Sequence, residues 1–329
     1  MHGCGAITIG SFDGVHVGHA ALARAMIDAA GRAGTPSIAL VFDPHPVAVL
    51  RPGNEPERIS TLAQRDLWLR ELGVNRIVRL DPTPDLLDLS PEQFVRRVLD
   101  EFAPANWIEG WNFRFGRGRA GDTALLRRLG EELGFKTVAV GAIDAALTDH
   151  SVTPASSSMV RWLLRHGRVG DAARVLGRPF QLTGVVTRGD QRGRSIGFPT
   201  ANITPDQMVP ADGVYAGRAE LAPARVFACA VNVGARPTFD GTEHRVEAHL
   251  IGPASDGSPA PALDAYGWPI RIELLAYLRD QVRFESVAVL RDQLTRDCDR
   301  AQAIAARQFP LGLGHSIRSA SAIGMEHRA

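Results

Sequence analysis

The rhythm of the chain changes near residue 178, and no other feature limits its fold as much. Before that point short apolar runs alternate with longer amphipathic stretches. Ala6–Gly10, Ser37–Phe42, Arg76–Leu80, Trp107–Glu109 and Lys136–Val140 read as strands. Val17–Ala30, Leu62–Leu72 and Thr123–Leu133 read as helices, as does the stretch opened by Ser90-Pro91-Glu92-Gln93, with its N-cap, first-position proline and third-position glutamine. Ser156–His166 and Val169–Leu176 read as two short helices separated by Gly167. Strands alternating with helices predict an α/β domain, a Rossmann-like parallel sheet with helices on both faces. After residue 178 the runs Phe180–Thr187, Gly213–Leu221, Arg225–Val233, Arg245–Ile251 and Pro269–Leu278 follow one another across Gly/Pro/Asp turns with no long helix between them. That pattern predicts a small antiparallel β-barrel, closed by an amphipathic helix over Glu285–Gln308. The expected domains are 1–178 and 179–310, and the Gly/Ser-rich stretch 311–329 reads as a flexible tail.

Composition narrows the function classes. The 329 residues give room for two domains, and a formal net charge of +1 offers no basis for non-specific binding to nucleic acid or to an acidic membrane. No stretch approaches the ~20 apolar residues of a membrane helix, and no basic segment leads into a long apolar core near the N-terminus, so a soluble cytoplasmic protein is expected. Cys4, Cys229 and Cys298 are far apart and form no CxxC, which argues against a disulfide framework or a zinc site. Lys136 is the only lysine among the 37 basic residues, so any lysine-dependent chemistry has a single candidate.

Two segments carry chemistry. Gly10-Ser11-Phe12-Asp13-Gly14-Val15-His16-Val17-Gly18-His19 lies between a predicted strand and a predicted helix, the junction where open α/β sheets bind ligands. Glycines there let backbone approach a phosphate, and the helix start offers unpaired N–H groups to an anion. His16 and His19 are spaced to reach one triphosphate. A lone HxGH would more often be a turn with two surface histidines; its placement beside Gly10 and Gly14 reverses those odds. The second segment is Gly193-Arg194-Ser195-Ile196-Gly197-Phe198-Pro199-Thr200-Ala201-Asn202, a glycine-rich arch ending in two polar residues at period two. A hydroxyl and an amide oxygen on one face suit Mg²⁺ beside nucleotide phosphates. The plain alternative is a glycine turn before a strand, and composition alone leaves it open.

These segments resemble the bacterial bifunctional riboflavin kinase/FAD synthetase family over residues 6 to about 308. The first matches the GxFDGxHxGH signature of the nucleotidyltransferase superfamily. Phe42-Asp43-Pro44-His45-Pro46, Asn112-Phe113-Arg114-Phe115-Gly116 and Ser156-Ser157-Ser158-Met159-Val160-Arg161 match further segments of that branch, with Ser158 where relatives have Thr. Gly197-Phe198-Pro199-Thr200-Ala201-Asn202 is the family's magnesium–ATP segment, unbroken. Asn232-Val233-Gly234-Ala235-Arg236-Pro237-Thr238-Phe239 and Val246-Glu247-Ala248-His249-Leu250 match its NVGxRPTF and VExHL segments. The resemblance implies ATP-dependent phosphorylation of riboflavin to FMN and adenylylation of FMN to FAD.

By the same resemblance His16 and His19 hold the nucleotide phosphates, with Gly10, Phe12, Asp13, Gly14, Gly18, Ser157, Ser158 and Arg161 around them. Gly193, Gly197, Thr200 and Asn202 hold the second nucleotide and Mg²⁺, and Glu247 is the general base. Asn112, Arg114, Phe115, Arg236 and Thr238 are flavin-binding candidates. Without the family, Glu247 reads as an exposed strand residue. Ala20 stands where relatives often have Gln, and residues 252–262 lengthen the connection after the Glu247 strand. Small-molecule substrates are the expected partners, with no nucleic acid and no membrane, in a monomer or weak homo-oligomer. The competing readings are a chain with one active half, and a flavin carrier or sensor that binds without turnover.

Overall fold

A computed structural model describes residues 5–189, 192–221, 225–238, 241–254, 257–258 and 266–307. It divides into two compact units, Met1–Leu164 with the segment Asp206–Met208, and Arg165–Pro205 with Val209–Ala329. The expected tail at 311–329 lies outside the described residues.

The first unit is built on strands β1 (Ala6–Gly10), β2 (Ser37–Phe42), β3 (Arg76–Leu80), β4 (Asn106–Gly110) and β7 (Lys136–Val140). They form one parallel sheet in the order β3-β2-β1-β4-β7. The order reverses direction between β1 and β4, so the carboxyl ends of those two strands flank the crevice where such sheets bind ligands. Helices α1 (Val17–Ala33) and α3 (Leu62–Glu71) pack on one face, α5 (Pro91–Phe102) and α6 (Thr123–Leu133) on the other. The first core holds Phe12, Met26, Trp68 and Leu69; the second holds Ile7, Leu40, Phe94, Trp107 and Leu126. Local chemistry fixes the helix starts: capping boxes join Thr61 to Gln64 at α3 and Ser90 to Gln93 at α5. Shorter elements complete the unit: α2 (Pro46–Leu50), α4 (Pro84–Leu87), the β5 (Arg114–Phe115)–β6 (Gly121–Asp122) ribbon, the β8 (Asp144–Ala146)–β9 (Val152–Pro154) ribbon and α7 (Ser157–Arg165).

The second unit begins with α8 (Val169–Leu176). Strands β10 (Phe180–Thr187), β11 (Ala201–Ile203), β12 (Gly213–Leu221), β13 (Arg225–Thr238), β14 (Gly241–Ile251) and β15 (Pro269–Arg279) close into a barrel in the order β10-β11-β14-β13-β12-β15. A single helical turn, α9 (Arg192–Ser195), lies between β10 and β11. Side chains alternate across each strand. Phe227, Cys229, Val231 and Val233 point into the barrel, as do Val246 and Ala248, all fully buried. The outer face of β12, β13 and β15 is partly covered by α10 (Val287–Ala306), whose Ala301 packs with Val214, Ala216 and Leu278. Ser286 caps that helix, whose first residue, Val287, lies two residues after the expected start at Glu285. Asp297, fully buried on α10, holds Arg279 at 2.7 Å. The thiol of Cys229 sits inside the barrel, where burial raises its pKa far above that of an ordinary thiol.

Candidate functional site

In the first unit the chain leaves β1 through a tight loop. Phe12 and Val15 both adopt left-handed backbone, φ +48° and +37°, although neither is glycine. Such residues cost on the order of 1–3 kcal/mol each and persist where the surroundings over-determine them. Here both side chains are fully buried, and that burial offsets the strain. The carboxylate of Asp13, itself buried, accepts hydrogen bonds from the Ile59 and Ser60 amides, from the Ser60 hydroxyl and from Arg161 at 2.5 Å. Ser60 in turn accepts from the Gly14 amide at 2.8 Å. Asp13, expected among the phosphate-binding groups, lines the cavity, and its carboxylate anchors the loop and pairs with Arg161. A second clamp comes from Arg65 on α3, whose guanidinium donates to the carbonyls of Ser11 and Phe42 and pairs with Asp43 at 2.6 Å. It ties the loops after β1 and β2 together.

The two histidines take different posts. His16 caps α1, its Nδ1 accepting from the His19 amide at 3.3 Å, and its ring is buried beneath that of His19, with centroids 3.7 Å apart. Gly18 leaves room for this stack: a β-carbon there would sit 3.1 Å from the His16 ring, closer than ordinary contact. A cavity of about 410 Å³ opens above, lined by His19, His45, Ser157, Ser158 and Arg161 among others. His19 therefore faces the cavity, and His16 lies beneath it. Ser156 caps α7 through the Met159 amide, and Ser157 donates to the Asp13 carbonyl at 2.8 Å. Ser158 keeps its hydroxyl at the cavity wall.

The flavin candidates of this unit separate. Asn112 is exposed just beyond the end of β4, and Arg114 is half-exposed and pairs with Asp122 at 3.3 Å. Phe115 is buried in the second core, stacked on Phe113 with ring centroids 5.4 Å apart and packed on Phe94. The alternation of a two-residue strand puts it there.

Beneath β1 lies a group with no sequence signature. Glu109 is fully buried, and its Oε1 accepts from the Ile9 amide at 2.9 Å and from the Trp107 indole at 2.8 Å. Burial pushes its carboxyl well above the ordinary range, against the two hydrogen bonds, which lower it. A raised folded value means that the stabilising contribution is complete below the unfolded value and is lost as pH rises through the folded one. Glu109→Gln keeps an acceptor oxygen and cannot ionise. Its melting midpoint should exceed that of the parent at pH 8 by about 2–4 °C for each kcal/mol recovered, with the advantage shrinking toward pH 5. Scanning calorimetry across that range checks it.

In the second unit the register of the barrel builds the site. Asn202 on β11 stands directly opposite Glu247 on β14 and, on its other side, Thr187 on β10; Glu247 stands opposite Asn232 on β13. Directly opposed residues share a face with β-carbons about 4.5–5.5 Å apart. Val246 and Ala248 point inward, so this polar row lies on the outside of the barrel. Asn232 accepts from Gln281 at 2.8 Å. The Oδ1 of Asn202 is buried and has no hydrogen-bond partner among the described residues. Thr200 lies one residue before β11, and the turn leading to it is held by a hydrogen bond from the Phe198 amide to the Gly193 carbonyl, with Gly197 at φ +90°. His249 Nδ1 donates to the Pro199 carbonyl at 2.8 Å, and its ring lies 5.3 Å from Phe198. Gly189 closes over the same point, since a β-carbon there would come within 2.2 Å of the Asn202 amide. Arg236 and Thr238 lie on β13 by backbone, and their side chains are outside the described residues. No group of three or more His, Cys, Asp or Glu side chains able to hold a metal occurs among the described residues.

Comparison with known proteins agrees with this division. A riboflavin kinase family model matches residues 176–305 and an FAD synthetase family model matches residues 2–153. A bifunctional riboflavin kinase/FMN adenylyltransferase of Escherichia coli (strain K12) is 32% identical over 316 residues, covering 94% of this chain and 93% of the relative. Proteins of the same name from Pseudomonas fluorescens and Bacillus subtilis (strain 168) are 33% and 29% identical, covering 92% and 90% of this chain and 94% and 90% of the relatives. A solved structure described as a macrolide-efflux protein from Streptococcus pneumoniae superimposes with a TM-score of 0.78 at 26% identity, over 92% of this chain and 95% of that one. No described helix of this chain is long and apolar enough to cross a membrane.

Proposed function

The chain belongs to the bifunctional riboflavin kinase/FMN adenylyltransferase family, and we propose that its two units act in turn on one flavin, each through its own phosphate site. It phosphorylates riboflavin to FMN with ATP and adenylylates FMN to FAD with release of pyrophosphate.

In the kinase unit Glu247 takes the proton of the riboflavin 5′-hydroxyl as that oxygen attacks the γ-phosphorus, and ADP leaves. Thr200 and Asn202 would hold a Mg²⁺, which when bound neutralises phosphate charge. The observation that carries this reading is the Asn202–Glu247 pairing, which sets the unpartnered buried Oδ1 of Asn202 beside a carboxylate. A buried amide oxygen left without a donor is costly, and a hard cation is a partner suited to it.

In the other unit a phosphate oxygen of FMN attacks the α-phosphorus of ATP, the bond to pyrophosphate breaks, and no enzyme nucleophile is needed. His19, Ser158 and the N-terminal end of α1 bind and stabilise the phosphate charge. The substrates are small molecules, and the reading takes the enzyme to be a cytoplasmic monomer or weak oligomer.

Incubation with riboflavin, ATP and Mg²⁺, followed by chromatographic separation of flavins, tests the reading. FMN should appear first and FAD after it, and flavin bound without either product would favour a carrier. Gly189→Ala should lower FMN formation by about tenfold through displacement of the Asn202 amide, with FMN still converted to FAD; steady-state rates of the two half-reactions check it.

A further inference from the structure

The cavity of the first unit is poor in free positive charge. Arg161 pairs with Asp13, and Arg65 pairs with Asp43. A polyphosphate bound there must be held largely by N–H and O–H donors. His45 lines this cavity together with His19 and Ser158. Its Nδ1 accepts from the Val47 amide at 3.2 Å, so that nitrogen carries no proton. A neutral imidazole then has its hydrogen on Nε2. Burial lowers the pKa of this ring, as do the neighbouring Arg161 and Arg65 charges, while Asp13 opposes them. His45 is thus held as a neutral donor with its one N–H on the ring atom far from the cap. His16 shares this tautomer, since its Nδ1 accepts at the α1 cap, but it lies beneath His19 and does not line the cavity.

We propose that His45 is a third imidazole of the adenylyl-transfer site, donating its Nε2–H to a phosphate oxygen of the reacting substrates. Both ATP and FMN carry that chemistry, and kinetics tell them apart: a rise in KM for ATP assigns the oxygen to the triphosphate, a rise in KM for FMN to the flavin phosphate. The inference rests on the adenylyltransferase reading above. If the unmodified protein makes no FAD from FMN and ATP, that reading has failed; if it makes FAD and the variants below behave otherwise than stated, only the present inference has.

Two variants separate a contact with phosphate from a purely structural cap. His45→Asn keeps an oxygen able to accept from the Val47 amide, and Asn is a favourable N-cap, but its amide stops short of the Nε2 position. His45→Gln reaches that position with an N–H and gives up the cap. The expected result is that His45→Asn melts like the parent, forms FMN at the parental rate, and loses at least about tenfold in kcat/KM for FAD formation, the scale of one hydrogen bond to a charged group. His45→Gln should recover part of that loss while melting at a lower temperature. Calorimetric titration with inorganic pyrophosphate should show weaker binding to His45→Asn than to His45→Gln. Parental FAD formation by His45→Asn, or activity that follows the melting temperature in place of the Nε2 donor, would overturn the proposal.

Discussion

Glu247→Gln should lower FMN formation from riboflavin by roughly 10²–10⁴-fold, the usual contribution of a positioned general base, while conversion of supplied FMN to FAD continues at the parental rate. The substitution is close to isosteric. Glu247 lies on the outer face of β14, and the buried neighbours Val246 and Ala248 that hold the strand in the barrel are untouched. The ladder to β11 and β13 is made of backbone hydrogen bonds, so the registers Asn202–Glu247 and Asn232–Glu247 survive. What disappears is the ability to accept a proton. The loss should therefore fall on kcat, with KM for riboflavin and ATP little changed, because the interaction is made only as the hydroxyl proton moves. Rapid-mix assays of each half-reaction, with thermal melting as the control for folding, check it. Equal loss of both activities in a folded protein would contradict two independent sites.

Legibility in the sequence follows a physical line. Strands bounded by glycine or proline, such as Ala6–Gly10 and Ser37–Phe42, were readable to the residue because punctuation and burial agree. The ribbons β5–β6 and β8–β9 and the strand β11 span two or three residues each, too short to show a period, and were not. β13 runs on to Thr238 and β14 starts at Gly241, beyond the expected ends, because the pairing of the two strands extends past the apolar run. In the proposed sites, residues inside compact motifs were visible: His19, Ser158, Asn202 and Glu247. The groups that hold them were not. Arg65 reads as a solvated helix position until α3 turns it onto the Ser11 and Phe42 carbonyls. Ser60, Glu109, Gln281 and His249 are single polar residues whose partners are distant in sequence, and no local pattern marks such a residue. His45 stood in a recognisable segment, yet its role depends on which ring nitrogen the Val47 amide occupies.

His19→Ala should produce the reverse phenotype to Glu247→Gln, with FAD formation from FMN falling roughly 10²–10³-fold, the range seen when one preorganised donor is removed from a charge-stabilising site. The ring stands on the first turn of α1 at the cavity wall, stacked on His16 and 5.1 Å from Phe12. Negative charge grows on pyrophosphate as the α-phosphorus bond breaks, and a donor fixed there acts without reorganising. Because the adjacent arginines are paired with Asp13 and Asp43, neither guanidinium stands ready to replace it. Removing the ring also uncovers His16, so part of any loss could come from a loosened cap. His19→Asn isolates that share: it fills some of the space and offers an amide donor nearer the backbone. If the effect is electrostatic, both variants lose kcat while the His16 Nδ1 cap and the melting midpoint hold. If it is structural, the alanine variant alone melts early and the asparagine variant regains most activity. Riboflavin phosphorylation, carried by the barrel, should be unchanged in both, and FAD formation at the parental rate by His19→Ala would remove the imidazole from the reaction.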